Sequence, residues 1–251
     1  MVFRSAIEIG GIPMEIQSKH RVPSDQYKGY ETDKQPVFTI RSSACDSGDQ
    51  DPKIIYDRLQ KNKRNERNYI NPERQEFQEI QRKIVEAMIR EGFLLMHGAV
   101  VAKDGEAYLF TAPSGTGKTT RIRFWMELYP DSIIINGDKP VIYLKGSRLL
   151  ACGTPWAGKE GWNSNIQVPI RAIYLLERAE QDSVEEISIA EALMTLIRQT
   201  YIEQTPEENL ERIQMLKLME GKVRFFRYRS TMTAESVRLA YEAAQAAGPI
   251  Q

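Results

Sequence analysis

The stretch Phe110-Thr111-Ala112-Pro113-Ser114-Gly115-Thr116-Gly117-Lys118-Thr119-Thr120 constrains the chain more than any other. An apolar run, Ala107-Tyr108-Leu109-Phe110, leads in, and a helical pattern from Arg121 to Leu128 leads out. Strand, glycine-rich turn and helix in that order are the context of a nucleotide phosphate loop. The chemistry follows from the residue types. Gly115 and Gly117 take positive φ and carry no Cβ, so backbone N–H groups across Ser114, Gly115, Thr116 and Gly117 can turn inward around an anion. A helix opening near Lys118 adds its positive end through Thr119 and Thr120. The Lys118 ammonium can reach the outer phosphates, and the Thr119 hydroxyl is placed for Mg²⁺. The usual pattern opens with glycine, where this chain has Ala112. Alanine costs little there if φ is negative, so we read a variant loop. A plain glycine-rich hairpin would not explain a Gly-Lys-Thr-Thr run that opens a helix.

Composition sets the frame. At 251 residues, 41% hydrophobic and 27% charged, the chain can bury a core in one or two domains. Formal net charge is zero, so no overall field favours nucleic acid or an anionic membrane. A basic run from Arg58 to Arg67 has no interleaved aromatic side chains to stack bases and reads as a solvated face. Two cysteines, Cys45 and Cys152, and two histidines, His20 and His97, do not make a standard zinc spacing. The simplest compartment is a reducing cytosol. No apolar run approaches the roughly 18–20 residues that span a bilayer.

Periodicity divides the rest. Residues 1–60 read as a small β-rich subdomain, with a hairpin over Ala6–Ile16 and a strand over Pro36–Ile40. A helix capped by Asn71 carries Phe77, Ile80, Ile84, Met88 and Ile89 on one face. Lys103-Asp104-Gly105 between apolar runs predicts a hairpin. The strand bearing His97 would then pair antiparallel with the strand that delivers the loop. Ser132–Asp138 reads as a buried strand ending in polar residues, Pro140–Ala151 as a further hairpin, and Pro169–Leu176 as another strand. Gly153–Asn163 is a loop with two of the three tryptophans. Capping boxes at Ser188 and Thr205, a strand over Val223–Tyr228 and a last helix capped by Thr233 complete residues 61–251.

Asp138, in Asn136-Gly137-Asp138-Lys139-Pro140, is the carboxylate at the end of the strand after the loop helix. A residue there can bind Mg²⁺ or accept the proton of an attacking hydroxyl. Lys159, Asn163 and Arg171 are further candidates for phosphate or acceptor contacts. His97-Gly98, the loop Ala112–Thr119, Asp138-Lys139-Pro140 and Gly153-Thr154-Pro155-Trp156 together resemble the HPr kinase and PEP carboxykinase superfamily. The likeness covers roughly residues 93–245 and is greatest for bacterial HPr kinase-like proteins, which include tailoring kinases for serine in lasso peptides. It implies an α/β fold: a mixed sheet like the C-terminal part of PEP carboxykinase, with flanking helices, and the small β-rich subdomain attached.

The resemblance implies ATP and Mg²⁺ as cofactors. It gives Lys118 and Thr119 the phosphate and metal roles, and puts His97 near the transferred phosphate. Asp138 matches the second of two adjacent acidic residues, and Gly137 stands where the first would be. Either His97 or Glu160 covers the missing role, or the chemistry is slow or absent. The reading is a kinase acting on the hydroxyl of a peptide or small molecule. A non-catalytic nucleotide-binding partner is the alternative, and a PEP carboxykinase-like enzyme a more distant one. The acceptor, the base of the nucleotide and the oligomeric state, a homo-oligomer included, are left open.

Overall fold

The computed structural model describes residues 2–21, 26–46, 72–200 and 206–248. The chain forms two compact units, Met1–Ala87 and Met88–Gln251. The expected division near residue 60, the basic run and the caps at Asn71 and Thr205 lie outside the described residues.

In the first unit β1 (Phe3–Ile9) and β2 (Ile12–Ser18) form the expected hairpin, turning at Gly10 and Gly11, both at positive φ. β3 (Phe38–Arg41) adds to β2 in parallel. Helix α1 (Pro72–Arg90) buries Ile80, Ile84 and Met88, the face its 3.6-residue spacing marks. Glu76 on this helix is buried, and its carboxylate accepts N–H bonds from Lys19 and His20.

Among the described residues the second unit is a mixed nine-stranded sheet with helices on both faces. Its strands are β4 (Phe93–Leu95), β5 (Gly98–Lys103), β6 (Glu106–Thr111), β7 (Ile133–Asn136), β8 (Val141–Lys145), β9 (Arg148–Cys152), β10 (Gln167–Arg178), β11 (Ser183–Ile187) and β12 (Arg224–Ser230). Its helices are α2 (Lys118–Leu128), α3 (Ile189–Gln199), α4 (Pro206–Lys217) and α5 (Ala234–Ala246). The main path runs β4-β8-β9-β10-β6-β5-β7, with β12 on β10 and β11 on β12. β10 makes the sheet curl. Its first residues pair antiparallel with β9, and its later residues pair in parallel with β6 and β12.

β5 and β6 pair antiparallel from Gly98↔Thr111 to Lys103↔Glu106. Asp104 and Gly105 both have positive φ, the conformation a two-residue turn of this hand requires. β6, β10 and β12 are parallel, so all three end on the same edge as the phosphate loop. β6 is buried on both sides, as a strand covered on two faces should be. Ala107 and Leu109 face a core shared with Leu196 of α3 and Leu216 of α4. Tyr108 and Phe110 face another with Ile122 and Trp125 of α2 and Val237 and Ala240 of α5.

Two strand expectations change. The apolar run from Phe93 to Ala102 is two strands, because Met96 leaves β4 to bridge Thr200, and His97 sits at a bend before β5. β7 lies at a sheet end, and Ile133 is 49% exposed rather than buried. β11, too polar to read as a strand, pairs along β12 from Ser183↔Arg229 to Ile187↔Phe225. Among the described residues no helix is long and apolar enough to cross a membrane.

Candidate phosphate and acceptor site

The loop leaves β6 at Thr111 and enters α2 at Lys118. Gly115 has φ +80° and Gly117 φ +115°, so both glycines do what the sequence requires of them. Ala112 is buried and is not among the residues at positive φ, which is why alanine replaces glycine there. Thr116 closes a turn on Pro113, its hydroxyl donating to the Pro113 carbonyl at 2.9 Å. Ser114 is exposed, and Thr119 and Thr120 are half-buried in the first turn of α2. The helix N-cap is Gly117, which offers no side-chain acceptor, so the first-turn N–H groups are left for a ligand.

Lys118 is 7% exposed and donates from Nζ to the carbonyls of Ala112, at 2.8 Å, and Pro113, at 3.3 Å. Burial pushes its pKa down, and the charge of Asp138 acts against that shift. Asp138 therefore lies within electrostatic reach of the loop lysine.

Asp138 is placed by its neighbours. The Asn136 side-chain oxygen accepts the N–H groups of Asp138 (2.9 Å) and Lys139 (2.7 Å), a turn of the kind asparagine favours. The Asn136 amide donates to Thr154, and the Thr154 hydroxyl donates to the Lys139 carbonyl at 2.6 Å. The Asp138 carbonyl accepts Gly98 N–H at 2.9 Å, which fixes the turn to the start of β5. His97 meets Asp138 at this point, with Nε2 3.5 Å from Oδ1. The other ring nitrogen, Nδ1, is 2.9 Å from Oε1 of Gln199, and the Gln199 carbonyl accepts His97 N–H at 2.6 Å. Thr111 donates its hydroxyl to the His97 carbonyl at 2.9 Å, tying His97 to the strand that delivers the loop.

Gly137 explains why one carboxylate stands alone. A Cβ there would sit 3.2 Å from the Ala157 carbonyl oxygen and 3.5 Å from Cβ of Trp162. The Gly137 N–H donates to the Trp162 carbonyl at 2.9 Å. The tryptophan loop, Gly153–Asn163, thus packs tightly beside Gly137, and Gly158 packs against Asp138. Gly137→Asp should cost about 1–3 kcal/mol by overpacking. A melting temperature equal to the parent's would contradict this packing.

The remaining candidates separate. Glu160 lies on the same loop, 4.0 Å from Arg123, and Lys159 is exposed beside it. Asn163 bridges Asn136 through its backbone. Arg171 is not at the loop. It sits near the start of β10, at the far end of the sheet, and its buried guanidinium donates to the Ala244 carbonyl at 2.8 Å. A buried charge needs partners, and the Ala244 carbonyl and the Glu106 carboxylate, 3.9 Å from Nε, supply them.

Three further residues at the site are missed in the sequence, and two of them, Gln199 and Arg178, carry no sequence signal of their own. Gln199 reaches His97 from 102 positions away. Arg178, at the end of β10, donates to the Gly115 carbonyl at 2.7 Å and the Thr116 carbonyl at 3.3 Å. Arg121 could have been noticed as a cation between apolar positions of α2. It is fully buried and bonds Thr233, Ser236 and Met232 of the β12–α5 corner.

A search of curated proteins finds no match to the chain. Among solved structures, the Hpr(Ser) kinase/phosphatase from Coxiella burnetii is similar, at 9% identity and a TM-score of 0.37, over 62% of this chain and 99% of that chain. The family model described as SynChlorMet cassette protein ScmC matches residues 71–226, which include the phosphate loop, His97, Asp138 and Gln199. That match spans more than half of the chain, and the chain belongs to the ScmC family of SynChlorMet cassette proteins.

Proposed function

We propose that this protein is an ATP-dependent kinase that transfers the γ-phosphoryl group to a hydroxyl. The supporting observation is one arrangement: a phosphate loop whose buried lysine, Lys118, feels the charge of a carboxylate, Asp138, that is itself 3.5 Å from an imidazole. The residues fit MgATP. Gly115 and Gly117 at positive φ leave N–H groups free to turn toward phosphate, and Lys118 needs only to leave two loop carbonyls to reach it. Thr119 and Asp138 would hold Mg²⁺ together with phosphate oxygens and water, since this ion rarely needs a full protein cage. Bound MgATP supplies the phosphoryl group and neutralises part of its charge.

The chain's own residues do the rest. The loop orients the phosphates, and the tryptophan loop shields the back of Asp138. Asp138 and His97 stand where an acceptor hydroxyl would lose its proton. Phosphoryl transfer asks mainly for positioning and charge stabilisation, so one carboxylate backed by a histidine can suffice. Serine of a peptide as acceptor is suggested by the resemblance of the sequence motifs to HPr kinase-like proteins. The family's description as a cassette protein directs the search to peptides of the same cassette. The carboxykinase reading has no supporting feature of its own. A nucleotide-binding partner without catalysis is favoured by one observation, the tight packing of the tryptophan loop beside Gly137, where a second carboxylate would stand.

Transfer by the parent separates the kinase from the non-catalytic reading, and Asp138→Asn tests the role of the carboxylate. Transfer to the acceptor, followed by mass spectrometry, should fall by about 10²–10⁴-fold, the usual scale for losing a positioned base. Transfer at the parent rate in this variant would overturn the role given to Asp138.

A further inference from the structure

Met232 stands out in the second unit. Among the described residues it and Asp104 are the non-glycine residues at positive φ, and Asp104 belongs to a hairpin turn. Met232 has φ +68° at the corner between β12 and α5. An L-residue in that region is strained, and strain of this kind persists only where the surroundings enforce it.

The enforcement is visible. The Asp182 carboxylate accepts the Thr231 N–H at 2.6 Å and the Thr231 hydroxyl at 3.0 Å, with the Thr233 hydroxyl at 3.4 Å. Met232 N–H donates to the Ser230 hydroxyl at 3.2 Å. Arg121, buried in α2, points Nη2 at the Met232 sulfur at 2.9 Å and donates to the Thr233 carbonyl at 3.1 Å. The result is a half-buried thioether seated on the phosphate loop. A Cβ built on Gly117 would lie 2.1 Å from the Met232 methyl carbon. Gly117 is glycine for this contact as well as for its φ.

The topology gives this corner a meaning. β6, β10 and β12 are parallel neighbours ending on one edge, and ligands of open α/β sheets bind outside such ends. The two sides of the loop differ in chemistry. On the β5–β7 side stand His97 and Asp138, the groups suited to the transferred phosphate. On the β10–β12 side stand Arg178, which grips the Gly115 and Thr116 carbonyls, and the Met232 thioether against Gly117. The first side carries proton-holding groups, and its nearby Trp162 is taken up by Arg123, 5.7 Å from the ring, and by packing against the core. The second offers a polarisable apolar surface beside hydroxyl and carboxylate groups, which suits an aromatic base joined to a polar sugar.

We infer that the β12–α5 corner is the nucleoside subsite, with Met232 as the wall on which the base of the bound nucleoside triphosphate rests. The inference rests on the proposed nucleotide-binding function and adds where the nucleoside lies and which residue meets it.

Calorimetry with two probes tests it: MgATP, and magnesium tripolyphosphate, which has the phosphates and no nucleoside. Met232→Gly removes the thioether and suits the observed φ, so relief of strain offsets the sulfur contact that Arg121 loses and its melting temperature should stay close to the parent's. Its MgATP dissociation constant should rise about 3–10-fold, the scale of a lost sulfur–aromatic contact, with tripolyphosphate affinity unchanged. Met232→Leu keeps an apolar wall and should stay within about twofold of the parent for MgATP, since volume-conserving apolar exchanges are tolerated best. Equal losses for both probes, no loss for either, or a leucine variant as weak as the glycine one would overturn the subsite and leave the phosphate-loop reading standing. A parent protein that binds neither probe would overturn both.

Discussion

Lys118→Met should abolish phosphoryl transfer while leaving the fold at least as stable at neutral pH. Removing one preorganised donor to developing phosphate charge costs about 10²–10³-fold in rate. In the structure Lys118 is buried beneath the loop with two carbonyls as partners. Burial lowers its folded pKa below the ordinary lysine value, with Asp138 offsetting part of the shift. The sign follows from proton counts. Between the folded and unfolded pKa values the unfolded chain binds the extra proton, so stability rises with pH through that window. Below that window both states hold the proton and the full burial penalty is present. Methionine removes that penalty, so the variant's stability advantage should be largest below the window and shrink as pH approaches the unfolded lysine value. Melting curves from pH 7 to 10 beside transfer assays check both halves. An advantage that grows with pH would contradict the burial argument.

Trp125→Ala should be the most destabilising single substitution at the site. Trp125 is fully buried in α2, the helix that presents Lys118, Thr119 and Thr120. Its ring lies 4.8 Å from Tyr108, 5.4 Å from Tyr129, and 5.7 Å from both Phe110 and Tyr241. Its indole N–H donates to the Ser132 hydroxyl at 3.0 Å. A tryptophan-to-alanine change in such a core costs about 3–5 kcal/mol. At about 2–4 °C per kcal/mol for a chain of this size, melting should drop by roughly 6–20 °C. Trp125→Phe keeps most of the apolar contact and should lose much less. A phenylalanine variant as unstable as the alanine one would assign the stability to the Ser132 bond instead of to ring packing.

The parts of this fold that were legible in sequence are those with local causes. Asp104-Gly105 specifies its own turn, and that turn makes β5 antiparallel to β6. The positive φ of Gly115 and Gly117 follows from the loop itself. The capping box at Ser188 and the cap at Thr233 form as written, because each needs only residues within one helical turn. What was not legible depends on residues far apart. Gln199 meets His97 only because Met96 bridges Thr200 at the end of α3, and no periodicity announces that. Arg178 and Met232 reach the loop because β10 and β12 run parallel to β6, a pairing set by the curl of the sheet. Arg171, read as a candidate for phosphate, is a buried cation at the wrong end of a strand whose direction the sequence alone does not give. β11 escaped notice because Glu185 and Glu186 give it no apolar run, yet its backbone needs only an edge to join.

Gly137 shows the difference most sharply. In sequence it is a missing carboxylate. In the structure it is a place where a Cβ would sit 3.2 Å from the Ala157 carbonyl oxygen, so a side chain there meets tight packing from the tryptophan loop.

The most direct measurement is the fate of the labelled γ-phosphoryl group when the protein is incubated with Mg²⁺, γ-labelled ATP and a serine-containing peptide encoded by a neighbouring gene. Label should appear on a peptide hydroxyl and be lost in Lys118→Met. Label that reaches the peptide equally well in that variant, or bound ATP whose label never leaves it for any acceptor hydroxyl, would contradict the kinase reading.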